Sequence, residues 1–358
     1  MNEKYMDLAL ELAQKGKGYV NPNPMVGAVV VKNGEIIGKG WHKYFGGPHA
    51  EVYALDEAGE QAEGATLYVT LEPCSHFGKT PPCVEKIKKF KIKKCVVACL
   101  DPNPLVAGRG KKILEEAGIE VVVGVREAEA KSLNKVFMKY ITEKNPYLFL
   151  KCAITLDGKI ATNYKDSKWI TNEKAREKVQ QLRHEYMGIM IGINTLINDN
   201  PKLTARIENG VNPFRIVVDP YLRIPLETNF VLLGREDEKS IVITSLENRK
   251  NEKISELEKN KIKIIYMDGF DFSVDEILKK IGELKIDSVL LEGGSFLISK
   301  AFAENRIDGG EIFIAPKILG GGLPFIKGFD FKEIKECFKL ENVKFNIYDD
   351  NISVEFHK

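Results

Sequence analysis

Apolar residues recur every three or four positions over residues 4–14, 50–58, 111–117 and 127–141, which predicts four helices in the first part of the chain. Short apolar runs bounded by turn residues predict strands over 26–31, 66–71, 95–100 and 119–123. Asn33-Gly34 predicts a tight hairpin from the first strand into a second over 36–40. Thr80-Pro81-Pro82-Cys83 reads as another helix start, with Thr80 as cap and both prolines in the first turn. Helices and strands alternating in this order predict a three-layer α/β sandwich around a mixed sheet.

The pattern breaks at Glu143-Lys144-Asn145-Pro146, where Pro146 disfavours helix at Asn145. This sets the expected domains at 1–145 and 146–358. The second is also α/β, with strands expected over 147–153, 188–192, 215–219, 240–244, 263–266 and 288–292. The last runs into Gly293-Gly294-Ser295 and a helix over 296–303. A strand, a glycine turn and a helix start can form an anion cradle of converging N–H groups, although Gly-Gly is also a common turn. The string is not Gly-x-Gly-x-x-Gly, so a dinucleotide-binding Rossmann domain is not supported. Gly320-Gly321-Gly322 follows a β-rich string and reads as a structural turn.

Composition narrows the classes. A length of 358 residues suits two domains. With 44% hydrophobic and 29% charged residues, the chain is of soluble globular type. A net charge of +2 gives no bulk field toward nucleic acid or membranes. The lysine clusters at 86–89 and 91–94 read as solvated faces. No apolar run reaches the length of a membrane span, and the first residues are too acidic and polar for a signal peptide. Six cysteines in so long a chain do not make a disulfide scaffold. Cys95, Cys99, Cys152 and Cys337 sit in apolar strings and are expected to be buried, inert thiols. A reducing, cytoplasmic location follows.

The candidate chemistry begins with His49-Ala50-Glu51, Pro73-Cys74 and Cys83. One imidazole and two thiolates can hold a zinc ion at three points and leave the fourth for water. Structural zinc sites are usually closed by four protein ligands, so three ligands beside a spare carboxylate point to catalysis. Taken singly, His49 would be a core histidine and each cysteine a buried thiol. The ordered set matches the zinc deaminases, in which His and two Cys bind the metal and the Glu, here Glu51, moves protons.

Deaminases of this type usually space the cysteines Cys-x-x-Cys, whereas eight residues separate Cys74 from Cys83. The longer string, Pro73-Cys74-Ser75-His76-Phe77-Gly78-Lys79-Thr80-Pro81-Pro82-Cys83, resembles the pyrimidine deaminase half of the bifunctional riboflavin-biosynthesis deaminase/reductases. The resemblance continues through Asn23-Pro24-Met25-Val26-Gly27-Ala28 and Asp101-Pro102-Asn103-Pro104. It extends into the second half at Leu156-Asp157-Gly158-Lys159, Asp166-Ser167-Lys168-Trp169 and Glu292-Gly293-Gly294-Ser295.

The resemblance implies a cytidine-deaminase-like domain followed by a dihydrofolate-reductase-like domain that binds NADPH. It implies one zinc per chain on His49, Cys74 and Cys83, with Glu51 catalytic. The substrate would be a pyrimidine carrying a ribosylamino 5-phosphate, deaminated first and then reduced at the ribose. Asn23, His76, Lys79 and Asn103 become candidate contacts in the deaminase domain. In the reductase domain, Ala153, Trp169, Thr195, Asp199, Gly294, Ser295, Phe296, Leu297, Ile298 and Ser299 should line the cofactor. Ser167, Arg183, Leu203, Arg206 and Glu292 should hold the substrate. Without that context Arg183 and Arg206 would be exposed arginines, Trp169 a core aromatic and Asp199 a turn residue. Lys151 is either an electrostatic or proton-transfer group, or an ordinary strand-edge lysine. The resemblance further implies a homo-oligomer with a small-molecule substrate and neither nucleic-acid nor membrane partners.

One position departs from the family. Val217-Val218-Asp219-Pro220 has Pro where relatives usually carry Ser or Thr, so a hydroxyl that could bond the cofactor is absent. Two rival readings fit less well. A nucleoside or tRNA-editing deaminase would need a Cys-x-x-Cys loop or a basic, aromatic-lined groove. A binding protein with a structural zinc leaves Glu51 without a purpose.

Overall fold

Asn33 (φ 52°) and Gly34 (φ 84°) reverse the chain between β1 (Gly27–Lys32) and β2 (Glu35–Trp41). Both central residues at positive φ is the geometry that fits the right-handed twist of a two-residue hairpin. The structure, a computed structural model, describes residues 3–75, 81–103 and 107–358. The chain divides into two compact units, Met1–Lys144 and Asn145–Lys358.

In the first unit, α1 (Lys4–Gln14), β1 and β2 are followed by α2 (Ala50–Ala58), β3 (Thr66–Leu71), α3 (Cys83–Lys89), β4 (Lys94–Cys99), α4 (Arg109–Glu116), β5 (Glu120–Val123), α5 (Glu127–Leu133) and α6 (Lys135–Glu143). The strands form one mixed sheet in the order β2-β1-β3-β4-β5. The two pairings of β1 are antiparallel, and β3-β4 and β4-β5 are parallel. Ala54, Leu55, Val84, Ile87 and Leu114 pack α2, α3 and α4 over Val30, Leu67, Val69 and Val97. Met6, Ala9, Leu10 and Ala130 pack α1 and α5 over Val29, Tyr68 and Val96, the alternate strand residues. The expected three-layer sandwich is present.

The helix α2 lies unusually close to β2. A Cβ on Gly38 would fall 2.1 Å from the Ala54 carbonyl oxygen, and one on Gly40 would fall 2.4 Å from that of Ala50. The alanine stripe of α2 and the two strand glycines therefore fix its depth.

The second unit runs β6 (Tyr147–Thr155), β7 (Lys159–Ala161), α7 (Glu173–Glu185), β8 (Gly188–Gly192), α8 (Ile193–Asp199), β9 (Phe214–Val218), α9 (Asn229–Asp237), β10 (Ser240–Ser245), α10 (Glu252–Lys259), β11 (Lys263–Met267), α11 (Val274–Glu283), β12 (Ser288–Leu291), α12 (Ser295–Ala303), β13 (Gly309–Ala315), β14 (Leu323–Pro324), β15 (Lys344–Tyr348) and β16 (Asn351–His357). Nine strands form a sheet in the order β11-β10-β9-β8-β12-β6-β13-β16-β15. Pairing is parallel from β11 to β13 and antiparallel over β16 and β15. Val274, Ile277, Ile281, Leu297 and Ile298 cover one face of it.

Three expectations need correction. The single helix over 127–141 is two, because the Asn134 side chain turns inward and brackets Met25, accepting from its N–H (2.8 Å) and donating to its carbonyl (2.9 Å). The helix at Cys83 starts after both prolines, with Pro82 at the cap position, and Thr80 lies outside the described residues. Cys337 is exposed, because its stretch pairs with no strand. Its neighbour Phe338 meets Phe329 (4.9 Å) and Phe331 (5.4 Å) edge-on instead of entering the core. Cys95, Cys99 and Cys152 are buried as expected. Lysines of the two clusters pair with acids, among them Lys86 with Asp56 (2.6 Å) and Lys94 with Glu120 (2.7 Å). Among the described residues, no helix is long and apolar enough to cross a membrane.

Gly40→Ala tests the depth of α2. The added methyl meets backbone, which cannot rotate away, so a loss of about 1–3 kcal/mol is expected. Denaturant unfolding of the variant measures it, and a change below about 0.5 kcal/mol would mean that α2 can retreat freely.

Candidate active sites

In the first unit three elements converge. His49 occupies the cap position of α2 in extended conformation (ψ 165°). Pro73-Cys74 follows β3 after one residue, Glu72, and Cys83 is the first residue of α3. The His49 Nδ1 atom lies 3.2 Å from Cys83 Sγ and 3.5 Å from Cys74 Sγ, and all three donor atoms fall within 4.8 Å of one another. A tetrahedral zinc with ordinary bond lengths separates its nitrogen and sulfur ligands by about 3.6 Å, so the set fits a three-point metal site. The Cys83 N–H also donates to Cys74 Sγ (3.3 Å), giving that sulfur the positive end of α3.

The electrostatics agree. Hydrogen bonding from Cys83, aided by His49, holds the Cys74 thiol down at about 4 against its burial. The Cys83 thiol is pushed well up by its bond to Cys74 and by burial. The Cys74 contact raises His49 to about 9. Two sulfurs and an imidazole this close share protons that a cation would displace. Glu51, on the first turn of α2, is 3% exposed and faces the Cys83 thiol. Burial raises its carboxyl, against the pull of His49.

Asn23 lies beside this cluster through His42. His42 Nδ1 is 3.0 Å from the Pro48 carbonyl, so that nitrogen carries the hydrogen and donates. Nε2 then accepts from Asn23 Nδ2 at 3.2 Å. The His42 ring stands edge-on to His49, 5.5 Å between centroids, and burial lowers its pKa. Asn103 lies in the loop after β4, its N–H bonded to Asp101 Oδ1 (2.9 Å). His76 and Lys79 lie outside the described residues. Neither His42 nor Glu72, which precedes Pro73-Cys74, was picked out by motif reading. The signal available was a charged or titratable residue at the end of an apolar strand, next to a motif.

In the second unit Glu292 is the node. Its carboxylate, 8% exposed, accepts from Arg183 Nε (2.8 Å) and Nη2 (2.9 Å), and Lys151 Nζ lies 3.7 Å away. Burial alone would raise the Glu292 carboxyl, but Arg183 and Lys151 hold it at about 2. Arg183 is thus a half-buried helix residue, not an exposed one, and its fork is committed to Glu292. Arg206 is exposed, and its Nη1 makes a long contact to Thr204 Oγ1 (3.4 Å), so its guanidinium has room for an anion. Leu203 is buried at φ 54°, and Ser167 is half-buried in the loop after β7.

The adjacent strands β8 and β12 each lead into a helix, and Gly294 approaches Thr195, since a Cβ there would sit 3.5 Å from its Oγ1. Asp199 ends α8, half-buried, and Ala153 is half-buried on β6. Trp169 is 64% exposed, with the Arg176 guanidinium 4.7 Å above its ring, so it is no core aromatic. Of the residues expected at the cofactor, Phe296 is exposed, while Leu297 and Ile298 point into the core and offer only backbone. Ser295 Oγ donates to the Pro324 carbonyl, and Ser299 Oγ accepts from Lys327 N–H (2.9 Å). The Pro220 carbonyl accepts from Asn248 Nδ2 (2.8 Å) and Ser245 N–H (3.2 Å).

The first unit therefore has the fold and donor set of the cytidine-deaminase class, joined in one chain to a second α/β unit. Residues 1–99 match the cytidine and deoxycytidylate deaminase zinc-binding region, and residues 146–354 match the RibD C-terminal domain. The chain is 46% identical to the riboflavin biosynthesis protein RibD of Aquifex aeolicus, over 100% of this chain and 99% of that protein. It is 38% identical to RibD of Escherichia coli, over 96% of each. Among solved structures it is similar to Acinetobacter baumannii RibD (TM-score 0.91, 37% identity, 99% of this chain and 98% of that one). It is also similar to the diaminohydroxyphosphoribosylaminopyrimidine deaminase/5-amino-6-(5-phosphoribosylamino)uracil reductase of Thermotoga maritima (TM-score 0.88, 41% identity, 99% and 98%). The chain belongs to the RibD family, the bifunctional deaminase/reductases of riboflavin biosynthesis.

Elemental analysis of the purified protein is expected to find about one zinc per chain, and Cys83→Ser to lose most of it. A Cys83→Ser protein with undiminished zinc would place the metal elsewhere.

Proposed function

We propose that residues 1–145 deaminate the diaminopyrimidine ribosylamino 5'-phosphate and that residues 146–358 reduce the ribosyl group of the product to ribityl. The observation that carries this is the convergence of His49 Nδ1, Cys74 Sγ and Cys83 Sγ beside a buried carboxyl, Glu51. Bound zinc would supply a Lewis acid that lets water react at neutral pH. Glu51, not among the converging donors, takes the proton of that water and returns protons to the ring nitrogen and the departing amine, serving as base and then acid. His42 holds the Asn23 amide nitrogen, so its Oδ1 is left to face a donor on the pyrimidine. Asn103, with His76 and Lys79, completes the substrate contacts.

In the second unit bound NADPH would supply the hydride, and the residues around it would orient it against the sugar. Ala153, Trp169, Thr195, Asp199 and the run Gly294 to Ser299 form the cofactor wall, the last through the backbone of the α12 start. Ser167, Leu203 and Arg206 hold the substrate, with the Arg206 guanidinium on its phosphate. Arg183 and Lys151 fix the Glu292 carboxylate, and Lys151 would give a proton to the furanose oxygen as the ring opens and hydride reaches C1', leaving the C1'–N bond intact.

The test is mass analysis of products from the authentic ribotide without nicotinamide, with NADH and with NADPH. Deamination alone is expected without a reductant, and the ribityl product with NADPH. Glu51→Gln should keep its zinc, reduce pre-deaminated substrate normally, and lose deamination by about a hundredfold or more. Near-normal ammonia release by this variant would remove Glu51 from the chemistry, and reduction with NADH alone would refute NADPH as the reductant.

A further inference from the structure

Glu72 is the residue between β3 and the Pro73-Cys74 string, and it is 4% exposed. Among the described residues, its carboxylate is hydrogen-bonded neither to the candidate metal donors nor to Glu51. Instead Oε2 accepts from the N–H of Asp101 (3.2 Å) and of Gly108 (3.0 Å), and Oε1 accepts from that of Lys111 (3.1 Å). Its own N–H donates to the Cys99 carbonyl (3.0 Å) at the end of β4. One buried side chain thus gathers both ends of the loop between β4 and α4, together with the first turn of α4.

Two further features show that this junction is built. A Cβ on Gly110 would fall 2.2 Å from the Pro73 carbonyl oxygen, so α4 rests directly on the backbone of the metal-binding string. The loop is also braced internally, since Asn103 N–H donates to Asp101 Oδ1 (2.9 Å) and Ala107 N–H donates to the Asn103 carbonyl (2.9 Å). A carboxylate accepting several backbone N–H groups at a helix start forms strong, charge-assisted bonds.

We propose that Glu72 is a positioning residue for the deaminase reaction, setting the loop that carries Asn103 at a fixed distance from Cys74 and so from the pyrimidine. This rests on the deaminase reading above and on Asn103 as a substrate contact. Glu72 moves no proton and binds no metal. Its anionic acceptors bind the substrate loop to the string that holds the metal, so that loop and metal cannot drift apart.

A double-mutant cycle on the full-length zinc protein tests it. In Glu72→Gln one acceptor becomes a donor facing N–H groups, and KM for the ribotide is expected to rise roughly tenfold or more. Its kcat should change little, while zinc content and reduction of pre-deaminated substrate stay at the wild-type level. Asn103→Ala should raise KM as well, and the double variant should be no worse than Asn103→Ala alone, because the first residue acts through the second. Gly110→Ala, which leaves Glu72 intact but pushes α4 off Pro73, should give the same KM effect if Glu72→Gln does not fold. Additive losses, loss of zinc, a fall in kcat with KM unchanged, or an Asn103→Ala enzyme of wild-type KM would each overturn the proposal. A wild-type protein that releases no ammonia would instead refute the deaminase reading itself.

Discussion

Two sulfurs and an imidazole nitrogen within 4.8 Å, with a buried carboxyl beside them, form an arrangement that a bound cation would stabilise. The first unit is organised around bringing them together. The parallel strand β3 delivers Cys74 at its carboxyl end, and the start of α3 delivers Cys83 and an N–H for Cys74. The glycines of β2 let α2 sink until His49 and Glu51 reach the same point. Each of these is a backbone device, and the side chains that do chemistry are held by elements whose own positions are fixed by close contact.

The second unit solves a similar problem with cations from its own side chains. A buried Glu292 is stabilised by Arg183 and Lys151, and removing either partner would leave an uncompensated charge out of water. In the proposed reductase site that cluster would form one wall, and the neighbouring starts of α8 and α12, where Thr195 meets Gly294, the other. Arg206, exposed, lies at the edge of this cluster.

Much of this was legible in the sequence because its signals are local. The β1-β2 hairpin follows from Asn33-Gly34, and β3 has the bounds 66–71 that its apolar run predicts. The metal set follows from residue types in order along the chain. What was not legible depends on distant partners. The break at Asn134 exists because its side chain finds Met25, 109 positions away. Cys337 reads as apolar-string core but has no sheet to enter. Arg183 reads as a surface cation until α7 brings it against Glu292. Glu72 looks like one acid among many until the loop after β4 closes on it. Periodicity reports which face is buried, but not which polar group waits there.

The most direct test of the account is X-ray absorption at the zinc edge of the purified, substrate-free protein. Three protein ligands with an open fourth position predict two sulfurs at about 2.3 Å, one imidazole nitrogen at about 2.0–2.1 Å and one non-protein oxygen at similar distance. A second imidazole or a carboxylate from Glu51 in the coordination shell would mean a closed, structural site and would contradict the catalytic reading.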